Sequence, residues 1–223
     1  MKLVSFSNNG QESFGVLSNS GIHPLLKKFK KDFPDLKAVI GSQKIENFET
    51  FCDNNTIPLS KVSLLPPIPN PGKIICAGMN YRKPYPVDGV APPDPGNIVI
   101  FARHAETLVG HGADLELPSG KAAETFDFEG EIVAVIGKSG RFISKDDALK
   151  HIIGYSIMNE GSVRGWMKHS VHAGKNFHAS GSWGPWIATV DEIDDFSFLK
   201  LETHVNGKLM QSALADEMIF SLP

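Results

Sequence analysis

Short apolar runs bounded by turn residues recur along the chain and predict strands more often than helices. Leu3 to Phe6 and Phe14 to Leu17 read as short strands. Asn8-Asn9-Gly10 between them is suited to a hairpin turn, because Asn and Gly accept positive φ. Pro24 to Phe33 and Ser42 to Asp53 carry apolar residues at helical spacing, with Lys and Glu between, and predict two helices. Pro66, Pro67, Pro69 and Pro71 then interrupt any helix or ladder. The chain therefore divides into a small N-terminal α/β lead-in domain, residues 1–70, and a second domain, residues 73–223.

The second part is richer in strands. Ile74 to Gly78, Ile98 to Phe101, Glu131 to Gly137, Gly154 to Met158, Trp186 to Val190 and Leu199 to Asn206 all have strand length and strand composition. Asn206-Gly207 is a strong two-residue hairpin signal and should return the chain as Lys208 to Ser212. Ser144 with Asp147 imitates a capping box and predicts a short helix over Lys145 to His151. The fold class is α+β and β-rich, with few helices. The chain stops in the apolar stretch Ile219 to Pro223, so a C-terminal part of the second domain is expected to be missing.

Composition narrows the function. Hydrophobic residues at 41% and charged residues at 21% describe a globular chain with a substantial core. A net charge of −3 gives no basic footprint, which argues against nucleic acid as a partner. The apolar runs have strand length, so neither a membrane span nor a secretory core is predicted, and a cytoplasmic location is expected. Cys52 and Cys76 belong to no CxxC pair and read as packed thiols. His169, His172 and His178 lack a metalloprotease pattern, Ser119-Gly120-Lys121 lacks the frame of a P-loop, and Gly181 to Gly184 lacks that of a serine hydrolase.

The candidate chemistry lies in acidic residues. In a strand, Glu129 and Glu131 would project to one face, with Asp127 a third possibility on that side. Such a set is either a solvated strand end or a site for a hard divalent cation. Glu160, at the end of the Gly154 to Met158 strand, adds a second acidic cue where ligands from different strands can converge.

Several motifs occur in one order: Ile75-Cys76-Ala77-Gly78-Met79-Asn80-Tyr81, Thr107-Leu108-Val109-Gly110, Phe128-Glu129-Gly130-Glu131, Asn159-Glu160-Gly161-Ser162-Val163-Arg164, Gly174-Lys175-Asn176-Phe177, Gly184-Pro185-Trp186 and Val205-Asn206-Gly207. Together they resemble the fumarylacetoacetate hydrolase (FAH) family, including its 2-keto-4-pentenoate hydratase and 2-oxohepta-3-ene-1,7-dioate hydratase-like members. The resemblance implies an FAH-type mixed β-roll or sandwich, usually a homodimer. It implies Mg²⁺, or Mn²⁺ or Ca²⁺, held by Glu129, Glu131 and Glu160, with Lys175 beside the ion. Tyr81 and Arg103 fall at positions that resemble substrate-facing residues and could equally be structural.

The activity so implied is C–C bond hydrolysis of a small 2-oxo acid or acylpyruvate, in aromatic-compound catabolism. The alternatives are a decarboxylase, tautomerase or hydratase of a 2-oxo dicarboxylic acid, or a non-catalytic truncated relative. Three departures bear on the choice. Glu160 stands where the family usually has aspartate, and Gly165 where a second aspartate is common. The hydrolases' His–Glu dyad should follow Asn80-Tyr81, but Arg82-Lys83-Pro84-Tyr85-Pro86 is found instead. His104 and His111 are candidates to replace that base, whereas tautomerisation and decarboxylation need no activated water.

Overall fold

The computed structural model describes residues 1–81 and 93–223. The first hairpin forms as its pattern predicts: β1 (Lys2–Asn8) and β2 (Gln11–Ser18) pair from Lys2↔Leu17 to Asn8↔Gln11, and the turn residues Asn9 and Gly10 take φ of 50° and 77°. β3 (Gly21–Pro24) extends this meander, and β4 (Ser63–Leu64) lies on the other side of β1.

The two helices predicted before residue 54 do not form. Pro24 ends β3, followed by a single 3-10 turn at Lys27–Phe29, and the second stretch holds a 3-10 segment, Ile45–Phe51. Backbone donors that a helix would direct back along itself reach distant partners instead: Leu25 N–H donates to Phe14 O, Leu26 N–H to Phe51 O, and Asp53 N–H to Pro24 O. The apolar spacing there reflects loops laid on the hairpin. The helix in this region, α1 (Leu36–Gly41), lies between the two predicted ones and starts where the Asp35 carboxylate accepts from Ala38 N–H at 2.7 Å.

Downstream, β5 (Ile74–Gly78) and β6 (Val99–Arg103) make a separate two-stranded sheet. β7 (Leu108–Gly110), β8 (Phe126–Asp127), β9 (Gly130–Ile136), β10 (Ile152–Asn159), β11 (Ser162–Val163), β12 (Gly181–Trp183) and β13 (Ile187–Thr189) follow. The helix predicted at Lys145 to His151 is present as α2 (Lys145–Ala148) with a 3-10 turn, Leu149–His151. A further short helix is α3 (Val171–Lys175). The Asn206-Gly207 hairpin joins β14 (Lys200–Val205) to β15 (Lys208–Leu214) with φ of 50° and 79° at the turn.

The principal sheet has nine strands, running β3-β2-β1-β13-β10-β12-β7, with β4 attached to β1 and β9 to β10. Its pairings are antiparallel except β12 with β7. Because β1 pairs with β13, the sheet is continuous across the proline-rich segment. The larger apolar core draws Leu3, Phe14, Val39 and Phe48 together with Val135, Met158, Trp183 and Ile187. Among the described residues, no helix is long and apolar enough to cross a membrane.

Candidate metal centre

Strand register brings the carboxylates together. β9 and β10 are antiparallel with Met158 opposite Glu131 and Asn159 opposite Gly130, so Glu160 falls opposite Glu129. The Glu160 N–H donates to Glu129 O at 2.6 Å, and the Glu129 N–H to Asn159 Oδ1 at 3.1 Å. One ligand atom from each of Glu129, Glu131 and Glu160 lies within 4.8 Å of the others. Glu160 is buried, and the chain beyond it passes so close to its neighbour that a Cβ on Gly161 would sit 1.7 Å from Ser180 O.

Among the described residues, three cations surround this acid cluster. Lys175 arrives on the last turn of α3, whose start is capped by the Ser170 hydroxyl accepting from Ala173 N–H. Asn176 then ties the helix to the end of β6, donating to Ala102 O at 2.9 Å and accepting from His104 N–H at 2.8 Å. Lys175 Nζ, only 3% exposed, donates to Glu129 and, at 3.0 Å, to Glu160 Oε2. Arg164 bridges Asp127, at 3.0 Å, and Glu129. Arg103 is buried behind Glu160, donating to Thr107 Oγ1, Gly161 O and Ser180 Oγ at 3.1–3.2 Å.

One oxygen of the cluster points to a bound cation. Among the described residues, Glu160 Oε1 is buried without a hydrogen-bond partner, and the Arg103 Nη1 is 3.9 Å away, too far to donate well. A buried carboxylate oxygen without a partner is costly, and a bound cation removes the cost. The donor set is entirely oxygen, which suits Mg²⁺, Mn²⁺ or Ca²⁺. The residues present therefore fit a divalent ion.

Tyr81 and Arg103 lie beside the cluster, whereas His104 and His111 do not join it. Tyr81 bridges to Met218; burial first, then the charges of Glu131 and Glu217, push its hydroxyl up to about 12, which keeps it a neutral donor. Arg103 serves the Glu160 turn from behind, and burial, partly offset by Glu160, lowers its pKa. His104 stacks edge-on against His172, and His111 packs against Gly184; neither joins the carboxylate group. Arg82 to Pro86, where the hydrolase dyad is replaced, lies outside the described residues. A cavity of about 960 Å³ lined by Ser18, His23, Asp53 and Trp186 is lined by none of the three glutamates.

Sequence reasoning had given no role to Arg164, Asn159, Asn176 or Gln211. Arg164 and Asn176 belonged to recognised motifs, but their contacts depend on strands far away in the chain, and no local spacing reveals them.

The chain belongs to the FAH family: residues 73–223 match the Fumarylacetoacetate (FAA) hydrolase C-terminal family. It is 40% identical over 168 residues to the oxaloacetate tautomerase YisK of Bacillus subtilis (strain 168), covering 74% of this chain and 56% of YisK. It is 31% identical over 236 residues to the mitochondrial oxaloacetate tautomerase fahd2 of Xenopus laevis, covering 99% of this chain and 72% of that protein. Among solved structures, the fumarylacetoacetate hydrolase of psychrophilic Exiguobacterium antarcticum superposes with a TM-score of 0.78 at 29% identity, covering 99% of this chain and 78% of that one. The chain thus spans little more than half of YisK. The tautomerase names favour the alternative drawn from the sequence over C–C hydrolysis, and aromatic catabolism receives no support from them.

Proposed function

We propose that this chain carries the site of a divalent-metal-dependent tautomerase acting on a small 2-oxo dicarboxylic acid, with oxaloacetate as the substrate to test first. The observation that carries this reading is the convergence of Glu129, Glu131 and Glu160, with the buried Glu160 Oε1 unpartnered among the described residues and Lys175 alongside. The similarity to tautomerases supports the choice of reaction.

Glu129, Glu131 and Glu160 would hold the ion, which when bound supplies a Lewis acid for the 2-oxo and carboxylate oxygens. Keto–enol exchange moves one proton from C3 to the C2 oxygen and breaks no carbon–carbon bond. The chain's residues therefore need to orient the substrate and balance charge on the enolate oxygen, without activating water. The Lys175 ammonium would supply that balance; that it is held against two carboxylates, so that little reorganisation is needed as charge develops, supports this role. Tyr81, whose hydroxyl feels the charge of Glu131 and stays neutral through the ordinary pH range, can donate a hydrogen bond to a bound substrate. The absence of histidine and glutamate in the sequence from Arg82 to Pro86 is compatible with this reaction, which requires no hydrolytic base.

The test follows the ultraviolet absorbance of enol oxaloacetate mixed with the metal-loaded protein. The reading expects faster loss of the enol than in buffer with the same metal, abolished by chelator and by Glu129→Ala. Equal rates with and without protein would contradict it; pyruvate and carbon dioxide as products would move the assignment to decarboxylation.

A further inference from the structure

The β14–β15 hairpin lies outside the principal sheet, yet it touches the backbone between two of the three carboxylates. The Glu160 N–H donates to Glu129 O while the Glu129 N–H turns to Asn159 Oδ1, and the N–H of Gly130, next along the chain, faces away from β10. That outward N–H donates to the side chain of Gln211, Oε1, at 2.8 Å. Thr203 is the cross-strand partner of Gln211 and meets the same residue: a Cβ on Gly130 would lie 2.0 Å from Thr203 Oγ1 and 3.4 Å from Gln211 Oε1. The β14–β15 register shifts next to this pair, leaving Met210 as an extra residue, and such bulges re-aim the neighbouring side chains.

We propose that Gln211 and Thr203 form a clamp on Gly130 that positions Glu129 and Glu131 for the metal. This rests on the reading of the three glutamates as metal ligands. A rotation of the peptide at Gly130 would swing Glu129 and Glu131 apart, since the two side chains leave the chain on either side of it. The clamp removes that freedom twice, once by a hydrogen bond to the N–H and once by contact at Cα. Gln211 and Thr203 are positioning residues, because both act through Gly130.

The test titrates Mn²⁺ calorimetrically into the full chain and follows Gly130 amide exchange in the metal-free protein. Loss of a residue that orients a ligand weakens metal binding by about 10- to 100-fold. Gln211→Leu, which removes the acceptor, should show that loss and faster Gly130 exchange, with its thermal transition retained. Gln211→Glu keeps an acceptor oxygen and should bind like the wild type. Gly130→Ala should weaken binding through its clash, and Thr203→Ala added to it should recover part of the affinity, which keeps the proposal testable even if Gln211→Leu does not fold. Wild-type affinity and exchange in folded Gln211→Leu, or no recovery in the double variant, would overturn the clamp. A wild-type chain that binds no Mn²⁺ would overturn the metal reading and the clamp with it, so the wild-type titration separates the two failures.

Discussion

Lys175 Nζ lies 3.0 Å from Glu160 Oε2, and the two side chains are 3% and 5% exposed. A buried ion pair of this kind is an arrangement of compensated charge: removing one partner leaves the other uncompensated and costs about 3–5 kcal/mol. Lys175→Met should therefore lower the stability of the metal-free protein by an amount of that order. Mn²⁺ should then raise its melting temperature more than it raises that of the wild type, because the ion replaces the lost positive charge. Thermal scans with and without Mn²⁺ check this; equal shifts in the two proteins would place Lys175 outside the ion's field.

Arg103 engages three acceptors with its fork of donors and sits behind Glu160. An ammonium cannot reproduce that geometry. Arg103→Lys should cost about 2–3 kcal/mol in a urea titration, the scale of losing charged hydrogen bonds in a buried site. If Arg103 instead met substrate alone, stability would be unchanged and only the Michaelis constant would rise.

Gly161 follows Glu160 where the chain presses against Ser180 O, and no side chain stands between them. Gly161→Ala should force the backbone apart and cost more than about 3 kcal/mol, with loss of metal binding as Glu160 moves. Soluble protein of unchanged stability would contradict this packing.

Burial pushes the Cys52 thiol from 9.0 up to about 12, with smaller opposing and reinforcing effects from Val16 and Glu49. Native Cys52 should therefore resist alkylation at pH 9, where the thiolate is the reactive form, and react once unfolded. The linkage has a definite sign: below pH 9 both states hold the proton, whereas between about 9 and about 12 the unfolded state loses it first. Stability should fall with rising pH across that window, less steeply in Cys52→Ala, as urea midpoints at several pH values will report.

Much of this arrangement was legible in the chain because it is local. Short runs of strand length and composition located β1, β2, β9, β10 and β14, and two Asn-Gly turns located their hairpins, since positive φ leaves a compositional mark. Glu129 and Glu131 could be paired because they lie two positions apart in an extended chain, and Glu160 because it ends a neighbouring strand. The 24–53 region was misread because its apolar spacing arises from loops packed on a sheet, with backbone hydrogen bonds that go to distant strands. α3 was missed because five residues cannot establish a helical period, although Ser170 supplied its cap. The roles of Arg164 and Gln211 arise from contacts 35 and 81 residues away in sequence, which the register alone creates.

The central claim is that Glu129, Glu131 and Glu160 hold a divalent ion that a 2-oxo acid can chelate. Calorimetric titration of Mn²⁺ and Mg²⁺, each with and without oxalate as a mimic of the pyruvate enolate, tests it most directly. The account predicts that the ion binds the wild type, that oxalate binds only when the ion is present, and that Glu160→Ala loses both. Oxalate binding to the metal-free protein, or undiminished metal affinity in Glu160→Ala, would contradict it.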